Sequence, residues 1–144
     1  MAIYKVGVVG GGTMGSGIAQ VISYSGIPVV LKEVNQPLLD RGLKNIRSIY
    51  EARVAKKRMT PEELEEKMKL VTPTTSDEAF KDVDLVIEAV PEILELKQKI
   101  FTDLATKVKK EALFASNTSS ISITKLAQSS QRPSQFIGMH FMNP

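Results

Sequence analysis

A doubly wound α/β fold with a mostly parallel sheet is the architecture this sequence predicts, and three observations predict it. An apolar run at Ile3, Val6, Val8 and Val9 passes directly into Gly10-Gly11-Gly12-Thr13-Met14-Gly15 and then into a helical pattern. Strand-like and helix-like stretches alternate from there onward, the order that builds parallel sheets. At 144 residues and 42% hydrophobic content, residues 1–144 can bury the core of one such domain and leave no room for a second of comparable size.

The elements follow in order. The helix after the glycines carries Ile18, Ala19, Val21 and Ile22 as an apolar stripe. Residues 28–33, Pro-Val-Val-Leu-Lys-Glu, make the second strand. A helical excursion comes next: residues 37 to about 57, with Leu38, Leu39, Leu43, Ile46, Ile49 and Tyr50 on one side, form its first helix. Its second helix starts at Thr60-Pro61-Glu62-Glu63, where Thr60 is the N-cap, Pro61 the first helical residue and Glu63 the partner that closes a capping box. Leu70 and Val71 begin a short strand, and residues 76–80 a brief helix. Residues 84–88 read as a buried strand. An amphipathic helix over 93–108 then shows Ile93, Leu96, Ile100, Phe101, Leu104 and Val108 at three- and four-residue spacings. A strand at 112–116, a short helix at 123–127 and a last strand at 136–140 complete a six-stranded pattern without repeats or low-complexity stretches.

The glycine turn carries the first chemistry. Gly10 lets the chain leave the strand tightly, Gly12 lets the backbone approach a pyrophosphate, and Gly15 lets the helix pack closely on the strand. Phosphates then meet unpaired N–H groups and the positive end of the helix, to which Gly11, Thr13 and Met14 also belong. The second strand ends in Glu33, roughly twenty residues after the last glycine. A carboxylate there accepts hydrogen bonds from the adenosine ribose and repels the 2′-phosphate of NADP, so this Rossmann-type pattern points to NAD. Lys32, beside Glu33, should face the other way by strand alternation. In such sheets ligands bind beyond the carboxyl ends of the strands, which directs attention to residues 88–92, 116–120 and 140–144.

Composition narrows the remaining classes. The absence of cysteine excludes a disulfide framework, a thiolate metal site and a cysteine nucleophile. A net charge of +3 and the lack of aromatic residues interleaved with basic ones argue against a nucleic-acid partner. No apolar run approaches the length of a membrane span, and an apolar strand so close to Met1 leads us to expect neither signal nor transit peptide, with the cytoplasm as location. Asn117-Thr118-Ser119 matches a glycosylation acceptor, which in that setting is coincidental.

Residues 10–20, Ile-Glu-Ala-Val-Pro-Glu at 87–92 with Lys97 and Phe101, Ala-Ser-Asn-Thr-Ser-Ser at 115–120, and Gly-Met-His-Phe-Met-Asn-Pro at 138–144 stand in one order along the chain. Together they resemble the NAD-binding domain of L-3-hydroxyacyl-CoA dehydrogenases, including 3-hydroxybutyryl-CoA dehydrogenases and the multifunctional enzymes of fatty-acid oxidation. The resemblance covers essentially the whole chain.

It implies reversible oxidation of an L-3-hydroxyacyl-CoA to the 3-ketoacyl-CoA, in β-oxidation or butanoate metabolism, with hydride passing to NAD. His140 is implied as the general base, a role that suits an imidazole titrating near neutral pH. Ser119 is implied to hydrogen-bond the reacting oxygen near the nicotinamide, and Asn143 to help bind cofactor and orient the reacting groups. Glu92 and Lys97 match the pair implied at the nicotinamide ribose. Lys56 or Lys57 is the candidate for the phosphates of coenzyme A. Without the resemblance these residues read differently: His140 as a hydrogen-bonded strand-end residue, Ser119 as a turn or capping hydroxyl, and Asn143 as a turn residue before Pro144. Glu92 and Lys97 would be a solvated helix face, and Lys56 and Lys57 a solvated helix end balanced by Glu62, Glu63, Glu65 and Glu66.

The resemblance also implies a glutamate beyond Pro144 that orients the histidine, and a helical C-terminal domain forming the acyl-CoA cleft and a homodimer interface. Residues 1–144 include neither. The expectation is a chain that binds NAD but turns over hydroxyacyl-CoA very slowly, since a base without its orienting partner loses position and an open site admits water. A self-standing, non-catalytic NAD-binding module is the other reading. A different hydroxyacid dehydrogenase is a third, against which the 117–120 and 140–144 segments argue.

Overall fold

The computed structural model describes residues 2–118 and 121–139. Six strands, β1 Val6–Val9, β2 Val29–Lys32, β3 Val71–Thr74, β4 Leu85–Glu88, β5 Leu113–Asn117 and β6 Phe136–Met139, form one sheet in the order β3-β2-β1-β4-β5-β6. Every neighbouring pair is parallel. Five α-helices connect them: α1 Thr13–Tyr24, α2 Gln36–Ala55, α3 Pro61–Met68, α4 Leu94–Ala105 and α5 Ile123–Ser129. The expected doubly wound fold and the helical excursion after β2 are both present.

Side-chain alternation along the strands divides the core between two faces. Val6, Val8, Val29, Leu31 and Ile87 pack with Ile18 of α1 and with Leu39, Ile46 and Tyr50 of α2. On the other face, Val9, Val30, Val86 and Phe114 pack with Phe101 and Leu104 of α4 and Leu126 of α5. Phe101 stacks obliquely on Phe114, with ring centres 5.2 Å apart, and meets Phe136 edge-on at 4.8 Å.

Local chemistry sets most helix ends. Thr60 and Glu63 form the expected reciprocal capping box at the start of α3, with Pro61 in the first turn. Asn35 caps α2 by accepting from the Leu38 N–H at 2.9 Å. The expected brief helix near residue 76 is a 3-10 turn at Asp77–Phe80 capped by Ser76. At the amino ends of the strands, Asp84 accepts from the N–H groups of Tyr4 and Lys5 at 2.7 and 3.0 Å and pairs with Lys109, fastening the N-terminal segment to β4.

Several boundaries and faces differ from expectation. Val21, placed in the apolar stripe of α1, is 59% exposed, because α2 covers only one side of that helix. Ile93 is the N-cap of α4 rather than part of its buried face, and is 51% exposed. Leu70 precedes β3, its carbonyl accepting from Val29 N–H at 2.9 Å. Strand β6 is described to Met139, so His140 lies outside the described residues.

Candidate functional site

The sheet order reverses between β1 and β4: the chain winds outward from β1 to β3, then crosses back to β4 on the other side of β1. Crevices open beyond the carboxyl ends of strands at such a point. Val9 and Glu88, the last residues of β1 and β4, are register partners there.

The glycine turn forms one wall. Gly10 has φ +106°, and a Cβ at that position would come within 2.6 Å of the Ala89 carbonyl oxygen. A Cβ on Gly15 would stand 1.8 Å from the Gly10 oxygen, so the start of α1 seats against the turn only as glycine. Gly12 is the contrast, since a Cβ there would meet no protein atom within 4 Å. Its lack of side chain clears space outside the protein, where a pyrophosphate would approach. No side chain caps α1 at Gly12, Thr13 is exposed and Met14 half-buried, which leaves the helix start open to an anion. Gly11 is buried, and its carbonyl accepts from Ser16 Oγ at 2.7 Å.

Glu33 reaches back to this turn, its Oε2 accepting from Gly11 N–H at 2.7 Å and its Oε1 from Val34 N–H at 3.1 Å. Lys32 points away and pairs with Asp77, so it does not neutralise Glu33. A carboxylate so placed could accept from ribose hydroxyls and would repel a 2′-phosphate. Sequence reasoning passed over Gly42 of α2, where a Cβ would sit 3.1 Å from the Gly11 oxygen and 3.2 Å from Leu31. A glycine inside an otherwise well-formed helix was the available signal.

The second wall contains a buried ion-pair cluster. Lys97 of α4 and Glu88 of β4 both have fully buried side chains, with Nζ–Oε2 2.5 Å. Lys97 also pairs with Glu92 at 3.1 Å, whose side chain is 35% exposed. The reading of Glu92 and Lys97 as a solvated face is thus corrected for Lys97: it shares the stripe of Phe101 and Leu104, and that i, i+4, i+7 spacing takes it inward. Glu88 accepts further from Val90 N–H at 2.8 Å and from Ser116 Oγ. Thr118 Oγ1 donates to Glu92 at 2.7 Å, drawing the end of β5 to the same place.

The structure thus brings Gly10, Gly11, Gly12, Thr13, Met14, Gly15 and Glu33 to one side of the crevice, and Glu92 and Lys97 to the other. Ser119, His140 and Asn143 lie outside the described residues. Lys56 and Lys57 are exposed beyond the far end of α2, about 20 Å along the helix from Gly42 at 1.5 Å per residue. Lys57 itself has φ +58°. A hollow of about 720 Å³ between α2, α3 and β3, lined by Leu43, Arg47, Met68 and Val71, is separate from the crevice. Among the described residues no cluster of metal ligands occurs, and no helix is long and apolar enough to cross a membrane.

Known proteins share this fold. The family model described as "3-hydroxyacyl-CoA dehydrogenase, NAD binding domain" matches residues 5–144. Over 142 residues the chain is 39% identical to the fatty acid oxidation complex subunit alpha of Acinetobacter baylyi, a match covering 99% of this chain and 20% of that protein. It is 42% identical, with the same coverage, to a peroxisomal fatty acid beta-oxidation multifunctional protein of Arabidopsis thaliana. Among solved structures, M. tuberculosis FadB2 superimposes with a TM-score of 0.97 at 41% identity, over 100% of this chain and 51% of that one. The (S)-3-hydroxybutyryl-CoA dehydrogenase of Ralstonia eutropha gives 0.96 at 39% identity, over 99% and 50%. The chain therefore spans about one fifth of these curated relatives and about half of these solved ones.

Proposed function

The chain belongs to the family of NAD-binding domains of 3-hydroxyacyl-CoA dehydrogenases, and from that premise we propose that it supplies the dinucleotide half of an enzyme interconverting L-3-hydroxyacyl-CoA and 3-ketoacyl-CoA. The observation that carries the reading is the contrast within the glycine turn: Gly10 and Gly15 are closed by backbone, Gly12 is open, and Glu33 is fastened beside them. That shape fits a dinucleotide, with the pyrophosphate at the start of α1 and the adenosine ribose at Glu33. Glu92, the partly exposed member of its pair with buried Lys97, fits the nicotinamide ribose at the opposite wall.

When bound, NAD supplies a hydride acceptor for the hydrogen on C3 of the substrate. In this reading His140 Nε2 or Nδ1 takes the proton of the 3-hydroxyl, Ser119 hydrogen-bonds that oxygen, and Asn143 orients the reacting groups. Lys56 or Lys57 meets the phosphates of coenzyme A, outside the crevice. The parent enzyme is a cytoplasmic homodimer whose acyl-CoA cleft lies in a second, helical domain, and residues 1–144 alone bind NAD but turn over slowly. Support for the slow turnover is that the solved relatives are about twice as long.

Calorimetric titration of the chain with NADH, then with acetoacetyl-CoA with and without NADH, tests the reading. Micromolar NADH binding without an acyl-CoA response is expected. Absence of NADH binding would overturn the assignment, and NADH-dependent acyl-CoA binding would put the substrate cleft within these residues.

A further inference from the structure

A lysine–glutamate pair with no solvent access is a costly way to stabilise a core, because desolvation of both charges offsets most of their attraction. Glu88 and Lys97 form such a pair at the carboxyl ends of β4 and β5, beside the crevice. Glu88 is held by the protein on both oxygens: Oε1 accepts from Ser116 Oγ, and Oε2 accepts from Val90 N–H at 2.8 Å and from Lys97 Nζ at 2.5 Å. With its side chain fully buried, it presents no surface to a ligand directly.

Lys97 stands differently. Its ammonium bonds Glu88, pairs with Glu92 at 3.1 Å, and reaches the carbonyls of Val90 and Asn117 only at 3.4 Å. Glu92, the partly exposed member, is held by Lys97 on one oxygen and Thr118 on the other. The charges thus run outward in sequence, from buried Glu88 through Lys97 to Glu92 at the rim.

We propose that Glu88 is a positioning residue for the nicotinamide-ribose end of the cofactor, anchoring Lys97 and, through it, the Glu92 carboxylate before the cofactor arrives. This rests on the reading of Glu92 and Lys97 given above, and deepens it. Preorganisation of this kind raises affinity by removing the cost of ordering on binding. It acts only on the nicotinamide half, since the adenosine half is held by the glycine turn and Glu33.

ADP, which lacks that half, is the discriminating probe. Glu88→Gln is expected to weaken NADH binding by about tenfold while ADP binding changes by less than about twofold. In the double variant Glu88→Gln/Lys97→Met, NADH binding is expected to be no weaker than in Lys97→Met alone, because Glu88 acts through Lys97. Should Glu88→Gln not fold, Ser116→Ala, which removes one donor to the same carboxylate, is expected to weaken NADH by about threefold and spare ADP. Equal losses for ADP and NADH, unchanged NADH binding, or additive losses in the double variant would overturn the proposal. Each of those results requires NADH binding by the unsubstituted chain; its absence there overturns the domain reading as well, so the two failures are told apart.

Discussion

Glu33 Oε2 and Gly11 N lie 2.7 Å apart, joining the end of β2 to the glycine turn through a single hydrogen bond. The same carboxylate thus shapes the turn, and Lys32 beside it in sequence is engaged with Asp77 instead. Glu33→Gln keeps an acceptor for Gly11 and removes the negative charge. We expect the preference for NADH over NADPH to fall by about tenfold, measured by fluorescence titration of both cofactors. An unchanged preference would mean that shape rather than charge excludes the 2′-phosphate.

The glycines differ in what an added methyl group meets, and this separates folding from binding. Gly15→Ala drives a Cβ to 1.8 Å from a backbone oxygen, and we expect a loss of about 3 kcal/mol or more of stability. Gly12→Ala meets no protein atom and removes no side-chain cap, so it should cost less than about 1 kcal/mol, while abolishing tight NADH binding. Thermal melts and NADH titrations of the two variants check the contrast.

Lys57 occupies the left-handed region, φ +58°, directly after α2, where glycine is the favoured residue. Lys57→Gly should therefore stabilise the fold by about 1 kcal/mol in urea denaturation. Such a gain would show that a lysine is kept there at the expense of stability, as expected if its ammonium serves coenzyme A.

Asp84 governs acid sensitivity at the opposite end of the sheet. Its hydrogen bond with Lys109 and those from Tyr4 and Lys5 N–H hold its carboxyl below the usual aspartate range. A lowered folded-state value stabilises the protein above the unfolded value, near about pH 4. That contribution is lost as pH falls from there through the folded value. Asp84→Asn should be less stable than the parent at neutral pH, and the difference should shrink progressively below about pH 4. A melting-temperature gap that stays constant with pH would assign the role of Asp84 to packing alone.

Much of this was legible because it is local. The Thr60–Glu63 capping box, the Pro61 start and the glycine turn each depend on residues a few positions apart, and each is present as expected. Strand order was legible at the level of class, since alternating strands and helices admit few parallel arrangements. What escaped was chemistry that needs a third dimension. Glu88 is one acid ending an apolar run, and only the neighbouring strand and α4 bring Ser116 and Lys97 to it. Lys97 itself carries a usable signal in its spacing to Phe101 and Leu104, although its charge by itself favours a solvated face. Val21 and Ile93 erred in the opposite direction, as apolar residues at positions no neighbouring element covers.

The reversal of strand order between β1 and β4 also divides labour along the chain. In the proposed reading the segment ending at Glu33 would hold one nucleoside and the segment beginning at Glu88 the other, while α2, α3 and β3 lie between them in sequence and beside them in space. A bound dinucleotide is then a cross-link between two stretches of polypeptide that belong largely to different faces of the core. It would suppress the separate opening of either stretch, so slower amide exchange should extend through β1 and β4 together rather than stop at the contacted residues.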